Sequence, residues 1–250
     1  VLMVAALVPF LFILAPIIHL VSTANLSDVW TVLHDDTFLL SLETSMVAAL
    51  LTTACAIVFG LPAAFLLSIW QFRGRRWVEA VLLLPLVMPP LVGGTAEISV
   101  YGPNAWLGAW FAGHGAPLTD SLIGVVLAQA FVTSPFLILA ARAGFDEVPR
   151  DLLEATRLAG GGLWAQFWFV YLPLSRQAIG AGVLLTFARS IGEFGATLIM
   201  AYHPYTVPVD IWTAFTSGGL NAIIPMAVVL LFVSILIVAL TSWIPRSYSR

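Results

Sequence analysis

The chain is 250 residues long, 60% hydrophobic and 9% charged, with a mean hydropathy of +1.01 and a formal net charge of −3. No soluble single domain requires so much apolar surface, which excludes a water-soluble globular fold. The apolar runs are continuous and do not alternate, which argues against a β-barrel and for an all-α polytopic membrane protein.

Six stretches are long enough to cross the bilayer, at about residues 2–21, 45–70, 78–100, 121–141, 177–201 and 222–244. The first lacks a basic leader and a small-residue cleavage site, so a retained helix is expected and not a signal peptide. The second is long enough to tilt or to extend past the bilayer. It holds Cys55, the single cysteine, so no intrachain disulfide is possible. In the third, Pro85, Pro89 and Pro90 remove backbone donors and clash with the preceding turn, which predicts a kinked or broken span. Gly93 and Gly94 follow and permit close packing or unusual backbone angles. Broken backbone at membrane depth survives only when buried in protein or lining a wet cavity. The break is therefore either a static fit to neighbouring helices or a hinge or constriction on a pathway through the membrane, with Pro89, Pro90 and Gly93 at its centre. The fifth stretch carries Arg189 and Glu193, four residues apart, expected to pair on one helix face because an isolated charge at the bilayer centre is costly. On an adjoining face Ala188, Gly192 and Ala196 recur every four residues, a spacing that lets two helices approach closely.

All ten basic residues are arginine. Arg73, Arg75 and Arg76 lie between the second and third stretches, Arg142, Arg150, Arg157 and Arg176 between the fourth and fifth, and Arg246 and Arg250 after the sixth. The opposite side carries Asp28, Asp35, Asp36, Asp120 and Asp210. The positive-inside rule then places both termini and the 142–176 loop in the cytoplasm of a multi-pass plasma-membrane protein. Trp106, Trp110, Trp168 and Trp243 suit the interfacial belts. His19, His34, His114 and His203 show no metal-ligand spacing, so no metal site is assigned. No nucleophile elbow, carboxylate pair or nucleic-acid patch is present, so no catalytic residue is assigned. The phosphate-binding loop of an ATPase requires a lysine. This chain has none, so any ATP that drives it must be hydrolysed by a separate polypeptide.

Residues 146–173 read as two short helices separated by glycines. Asp146 and Pro149 are start signals, and Asp151 and Glu154 suit the positive end of a helix dipole. Leu152, Leu153, Ala155, Leu158 and Ala159 offer an apolar face, with Arg150, Asp151, Glu154 and Arg157 on the other. Gly160, Gly161 and Gly162 end the first piece, Trp164–Tyr171 form the second, and Pro173 is expected to stop it. By shape alone this is either an interfacial anchor or a docking surface for a soluble partner.

The spacing resembles a motif of ABC-importer permeases: E-A-A, three residues, G, nine residues, I, one residue, L-P. Glu154, Ala155 and Thr156 open it, Gly160 follows, and Val170, Leu172 and Pro173 close it, with Thr156 for alanine and Val170 for isoleucine as departures. The stretch LLLPLVMPPLVGG at 82–94 resembles the third span of oxyanion permeases, and FARSIGEFGATLIMA at 187–201 resembles the fifth span of molybdate/tungstate and sulfate permeases. Gly219, Leu220, Ala222 and Pro225 are most similar to the molybdate/tungstate branch, with sulfate or thiosulfate permeases as the runner-up.

The resemblance implies a type I ABC-importer permease: one transmembrane domain over residues 1–250, about six spans, and a coupling helix in the 142–176 loop. It implies ATPase docking by Arg150, Asp151, Glu154, Ala155, Thr156 and Gly160. A translocation pathway or gate would involve Pro89, Pro90, Gly93, Arg189, Gly192 and Glu193. Arg189 either forms a purely structural pair or presents positive potential to a passing oxyanion. The small-residue face packs either in a permease dimer or within one subunit. The implied partners are a second copy of the chain, two ABC ATPase subunits carrying ATP and Mg, an extracytoplasmic oxyanion-binding protein and membrane lipid, with no cofactor on this chain and no nucleic acid. An ion-coupled secondary transporter is the alternative from another class, and it requires ion-coordinating residues near the midplane, where only Arg189 and Glu193 qualify.

Overall fold

The structure is a computed structural model and describes residues 2–242. The regular structure among these residues is helical throughout. In chain order the helices are α1 (Leu2–Thr23), α2 (Leu26–Val32), α3 (Asp36–Cys55), α4 (Leu61–Ile69), α5 (Arg75–Val87), α6 (Pro90–Tyr101), α7 (Trp106–Gly113) and α8 (Leu122–Asp146). There follow α9 (Arg150–Leu158), α10 (Leu163–Gln166), α11 (Leu172–Leu174), α12 (Arg176–Ile191), α13 (Gly195–Met200), α14 (Val207–Gly218) and α15 (Leu220–Ser242). Single π-helical turns, Ala56–Gly60 and Phe167–Tyr171, join α3 to α4 and α10 to α11.

Three stretches are long and apolar enough to cross a membrane: Asp36–Ile69, Leu122–Asp146 and Leu220–Ile237. The number rises to five if each of two bent pairs is one span, Leu7–Thr23 with Leu26–Val32 at 87° and Arg75–Val87 with Pro90–Tyr101 at 116°. The second bend falls at Pro89–Pro90, the break expected from the prolines. Two expectations are corrected. The second stretch begins at Asp36 and not near residue 45, because the Asp35 carboxylate accepts the Thr37 N–H at 2.8 Å and starts the helix earlier. The fifth is not one helix, because α12 ends at Ile191 and α13 begins only at Gly195. Trp243, Arg246 and Arg250, and the end of the sixth expected stretch, lie outside the described residues.

The chain divides into two compact units. Among the described residues, one combines 2–43 with 206–242, around a core of Phe38, Val207, Met226 and Val229. The other, Thr44–Tyr205, holds the segments of functional interest. Its largest core gathers Leu67, Leu137, Ala141, Phe145, Phe167 and Tyr171 from α4, α8 and the second π turn. Phe65 stands at its centre, 4.8 Å from the Phe167 ring, 5.0 Å from Tyr171 and 6.0 Å from Phe145. Such tilted and edge-on aromatic contacts add about 0.5–1.5 kcal/mol each beyond area burial.

In the same unit α12 lies along α8 with a buried polar seam between them. Thr133 and Ser190 hydroxyls meet at 3.0 Å, and Thr186 donates to the Thr133 carbonyl at 3.3 Å. Thr52 of α3 donates to Gln129 Oε1 of α8 at 3.1 Å. In hydrocarbon, where hydrophobic attraction between helices is lost, such hydrogen bonds and close backbone packing hold helices together.

Candidate functional site

The 150–173 loop is built from a capped helix and an anchor. Pro149 occupies the N-cap of α9 in extended geometry, Asp151 lies in the first turn and Arg157 in the last, so both charges complement the helix dipole. At the other end the Gly161 N–H donates to the Thr156 carbonyl and the Gly160 N–H to the Arg157 carbonyl, both at 2.9 Å. With Gly160 at φ +82° this is a Schellman cap. Asp146 does not start the loop helix as expected; it ends α8, where its carboxylate accepts the Ser68 hydroxyl at 2.6 Å.

No residue of α9 is buried. Of its apolar face only Leu153 packs against the core, while Leu158 is 90% exposed and Leu152 45%. Arg150, Asp151, Glu154, Ala155 and Gly160 are exposed, and Thr156 is half-buried with its hydroxyl donated to the Leu152 carbonyl at 2.8 Å. Gln166, buried, donates to the Leu153 carbonyl at 3.2 Å and ties α9 to the anchor. Beside α9 a cleft of about 680 Å³ opens, with Arg150, Glu154 and Arg157 on one wall and Ser68, Ile69 and Trp70 on the other. Burial pushes the Tyr171 phenol in that cleft above its ordinary range, with Arg157 pulling the other way, so it stays a neutral hydroxyl.

The two halves of the motif therefore do different work. Glu154, Ala155 and Gly160 are displayed, whereas Val170 and Tyr171 are buried in the aromatic core. Pro173 does not stop the second piece: α11 runs through it and the chain breaks at Ser175. The π turn explains this, since the Leu172 N–H reaches back five residues to the Phe167 carbonyl and widens the helix just where the proline ring enters.

An ion cluster between the start of α5 and the end of α8 went unassigned in the sequence. Glu79 Oε1 accepts Arg75 Nε at 2.8 Å and Arg142 Nη1 at 3.0 Å, and Arg142 Nε lies 3.5 Å from Asp146. The four-residue spacings Arg75–Glu79 and Arg142–Asp146 were the signal that pointed to it.

The membrane break is built from close backbone approach. Pro89 caps α6 and Pro90 opens it. A Cβ on Gly94 would lie 2.8 Å from the Ala196 carbonyl oxygen, and one on Gly195 would lie 2.8 Å from Pro90 Cβ. Gly93 meets the Phe131 ring. Arg189 Nη2 lies 2.6 Å from Glu193 Oε2, although Glu193 follows the end of α12 and the two do not share a continuous helix face. Glu193 is fully buried, and its Oε1 accepts the Ala196 N–H at 3.0 Å, capping α13. The Ala188, Gly192, Ala196 stripe is interrupted by the same break: Gly192 borders open space, and Ala196 packs inside the unit against Gly94.

Several membrane-crossing segments, one of them broken at paired prolines, and a capped amphipathic helix held out on an anchored loop define a multi-pass membrane protein of the transporter class. The chain belongs to the family of binding-protein-dependent transport system inner membrane components, whose sequence profile matches residues 56–250. It is 45% identical to the probable molybdenum ABC transporter permease protein of Haloferax volcanii, over 90% of this chain and 82% of that one. It is 34% identical to the molybdate/tungstate transport system permease protein WtpB of Methanocaldococcus jannaschii, over 96% and 94% of the two chains. Its fold matches a chain in the crystal structure of a bacterial alginate ABC transporter in complex with an alginate pentasaccharide-bound periplasmic protein. The TM-score is 0.75 at 14% identity, covering 98% of this chain and 94% of that one.

Proposed function

We propose that the chain is the pore subunit of an ATP-driven importer of molybdate or tungstate. Two copies enclose the pathway, two separate ABC ATPases bind ATP and Mg and grip the arginine-rich side, and an extracytoplasmic binding protein delivers the oxyanion. The observation that carries this reading is α9: an amphipathic helix opened by Pro149 and closed by a Schellman cap, with Leu152 and Leu158 turned to solvent and Leu153 packed against the core of Thr44–Tyr205. An exposed apolar face rimmed by charge is an interaction surface. Both termini lie in the cytoplasm on this reading, which the arginine distribution supports. Closure of the ATPase pair moves α9, and the rigid segments it is anchored to switch the pathway between inward and outward access. Arg189, at the membrane break, offers the passing dianion a positive potential that buried Glu193 holds in place.

The test is ATP hydrolysis by the assembled complex in proteoliposomes, with binding protein loaded in turn with molybdate, tungstate or sulfate. Stimulation by molybdate or tungstate and not by sulfate is the expected result; sulfate stimulation alone replaces the cargo. Glu154→Arg should leave membrane insertion intact and weaken co-purification with the ATPase, and unchanged co-purification would remove α9 from the docking role.

A further inference from the structure

The turn joining α4 to α5 carries a surface that neither α9 nor the membrane break uses. Residues 70–77 read Trp-Gln-Phe-Arg-Gly-Arg-Arg-Trp, and they connect two apolar helices, so they lie where the bilayer meets water. Three aromatic side chains face outward: Trp70 is 62% exposed, Phe72 39% and Trp77 78%. Gly74, at φ +101°, permits the tight reversal between them.

The three arginines differ in their surroundings. Arg75 is half-buried and held by Glu79, which also holds Arg142, so its charge is compensated within the fold. Arg73 and Arg76 are exposed, and neither has an acidic partner within ion-pair distance among the described residues. A cleft of about 330 Å³ opens beside Arg76, lined also by Gln71, Phe72, Gly74, Arg75 and Trp77, with Arg73 next to it in the chain.

We propose that this turn binds the headgroup of an anionic phospholipid, with Arg73 and Arg76 as its charged contacts and Trp70 and Trp77 seated at the boundary of headgroup and acyl chain. A guanidinium presents paired donors that match two oxygens of a phosphodiester. A zwitterionic headgroup brings a cation of its own, which two unpaired arginines repel, so the site discriminates by net headgroup charge. Outward aromatics in the same turn favour a lipid over a soluble partner, because tryptophan is the side chain of the membrane interface. Placing the lipid in the cytoplasmic leaflet rests on the orientation proposed above; the binding itself does not.

Native mass spectrometry of the purified full chain, offered equal phosphatidylglycerol and phosphatidylcholine, tests the site. Each arginine near an anionic lipid surface contributes on the order of fivefold, so the wild type should prefer phosphatidylglycerol by roughly 20-fold. The double variant Arg73→Gln, Arg76→Gln should approach parity, and either single variant should lose about half of the preference on a logarithmic scale. The lysine pair Arg73→Lys, Arg76→Lys should keep most of it. Arg150→Gln with Arg157→Gln removes the same charge from α9 and should leave the preference in place. Equal retention of the two lipids by the wild type overturns the proposal. So does an equal loss in the α9 variant, which would reduce the effect to net charge. A double variant that keeps the lipid preference but loses ATPase co-purification overturns it too, and assigns the turn to the protein partner.

Discussion

At the scale of single residues, the glycines after α9 separate two requirements that the sequence merges. Gly160 has open space where a Cβ would stand but a φ of +82°, so Gly160→Ala should cost about 1 kcal/mol from backbone strain alone. Added bulk at Gly160 meets no neighbour. Gly161 has an ordinary φ but a site where a Cβ would lie 2.7 Å from Thr156 Cγ2, so Gly161→Ala should cost more, about 1–3 kcal/mol. Thermal midpoints of the purified chain in detergent rank the two, and a larger fall for Gly160→Ala would contradict the close approach at Gly161. Arg189 and Glu193 form a second asymmetric pair. Arg189→Gln strands a fully buried carboxylate, at a cost of about 3 kcal/mol. Glu193→Gln removes the charge but keeps an oxygen for the Ala196 N–H, so it should lower the midpoint less. The two variants should therefore separate stability from transport, because only Arg189→Gln removes the positive potential.

At the scale of elements, the contact between α6 and α13 is the most sensitive to size. Gly94→Val places its first side-chain carbon 2.8 Å from the Ala196 backbone, which cannot retreat without moving α13. The expected loss is about 3 kcal/mol or more, seen as reduced yield of folded protein in detergent, whereas the same change at Gly180, where nothing stands within 4 Å, should be mild. Much of this architecture was legible in the sequence, and the limits have physical causes. The break at Pro89–Pro90 and the cap at Gly160 follow from local backbone rules, so composition at those positions was enough. The break in the fifth stretch was missed because its cause is a side chain: Glu193 caps α13 from beyond the end of α12. The role of Pro173 was misread because a π turn depends on how the aromatic core packs around Phe167 and Tyr171. The buried Thr133–Ser190 contact joins residues 57 positions apart on α8 and α12, which periodicity within one segment does not report.

At the scale of the whole molecule, the proposed function divides transport chemistry between chains. On that proposal the purified chain, whose sequence holds no lysine for a phosphate-binding loop, should show no ATP hydrolysis above background, with activity appearing only on addition of the proposed ATPase. Hydrolysis that copurifies with the chain after the ATPase has been stripped would overturn that division. The two π turns carry a further consequence for anyone mapping this protein by labelling. Both are followed directly by Leu-Pro, at Leu61–Pro62 and Leu172–Pro173, and each accommodates one more residue than an α-helix of the same rise. A helical wheel drawn through either one slips by about 100°. Probe positions chosen from a wheel begun at Asp36 would thus point to the wrong side from Leu61 onward, where Ala64 and Leu67 are in fact buried. Phase must be counted afresh after each turn, and a single-residue gap in an alignment at either place would mark a helix that has returned to the ordinary pitch.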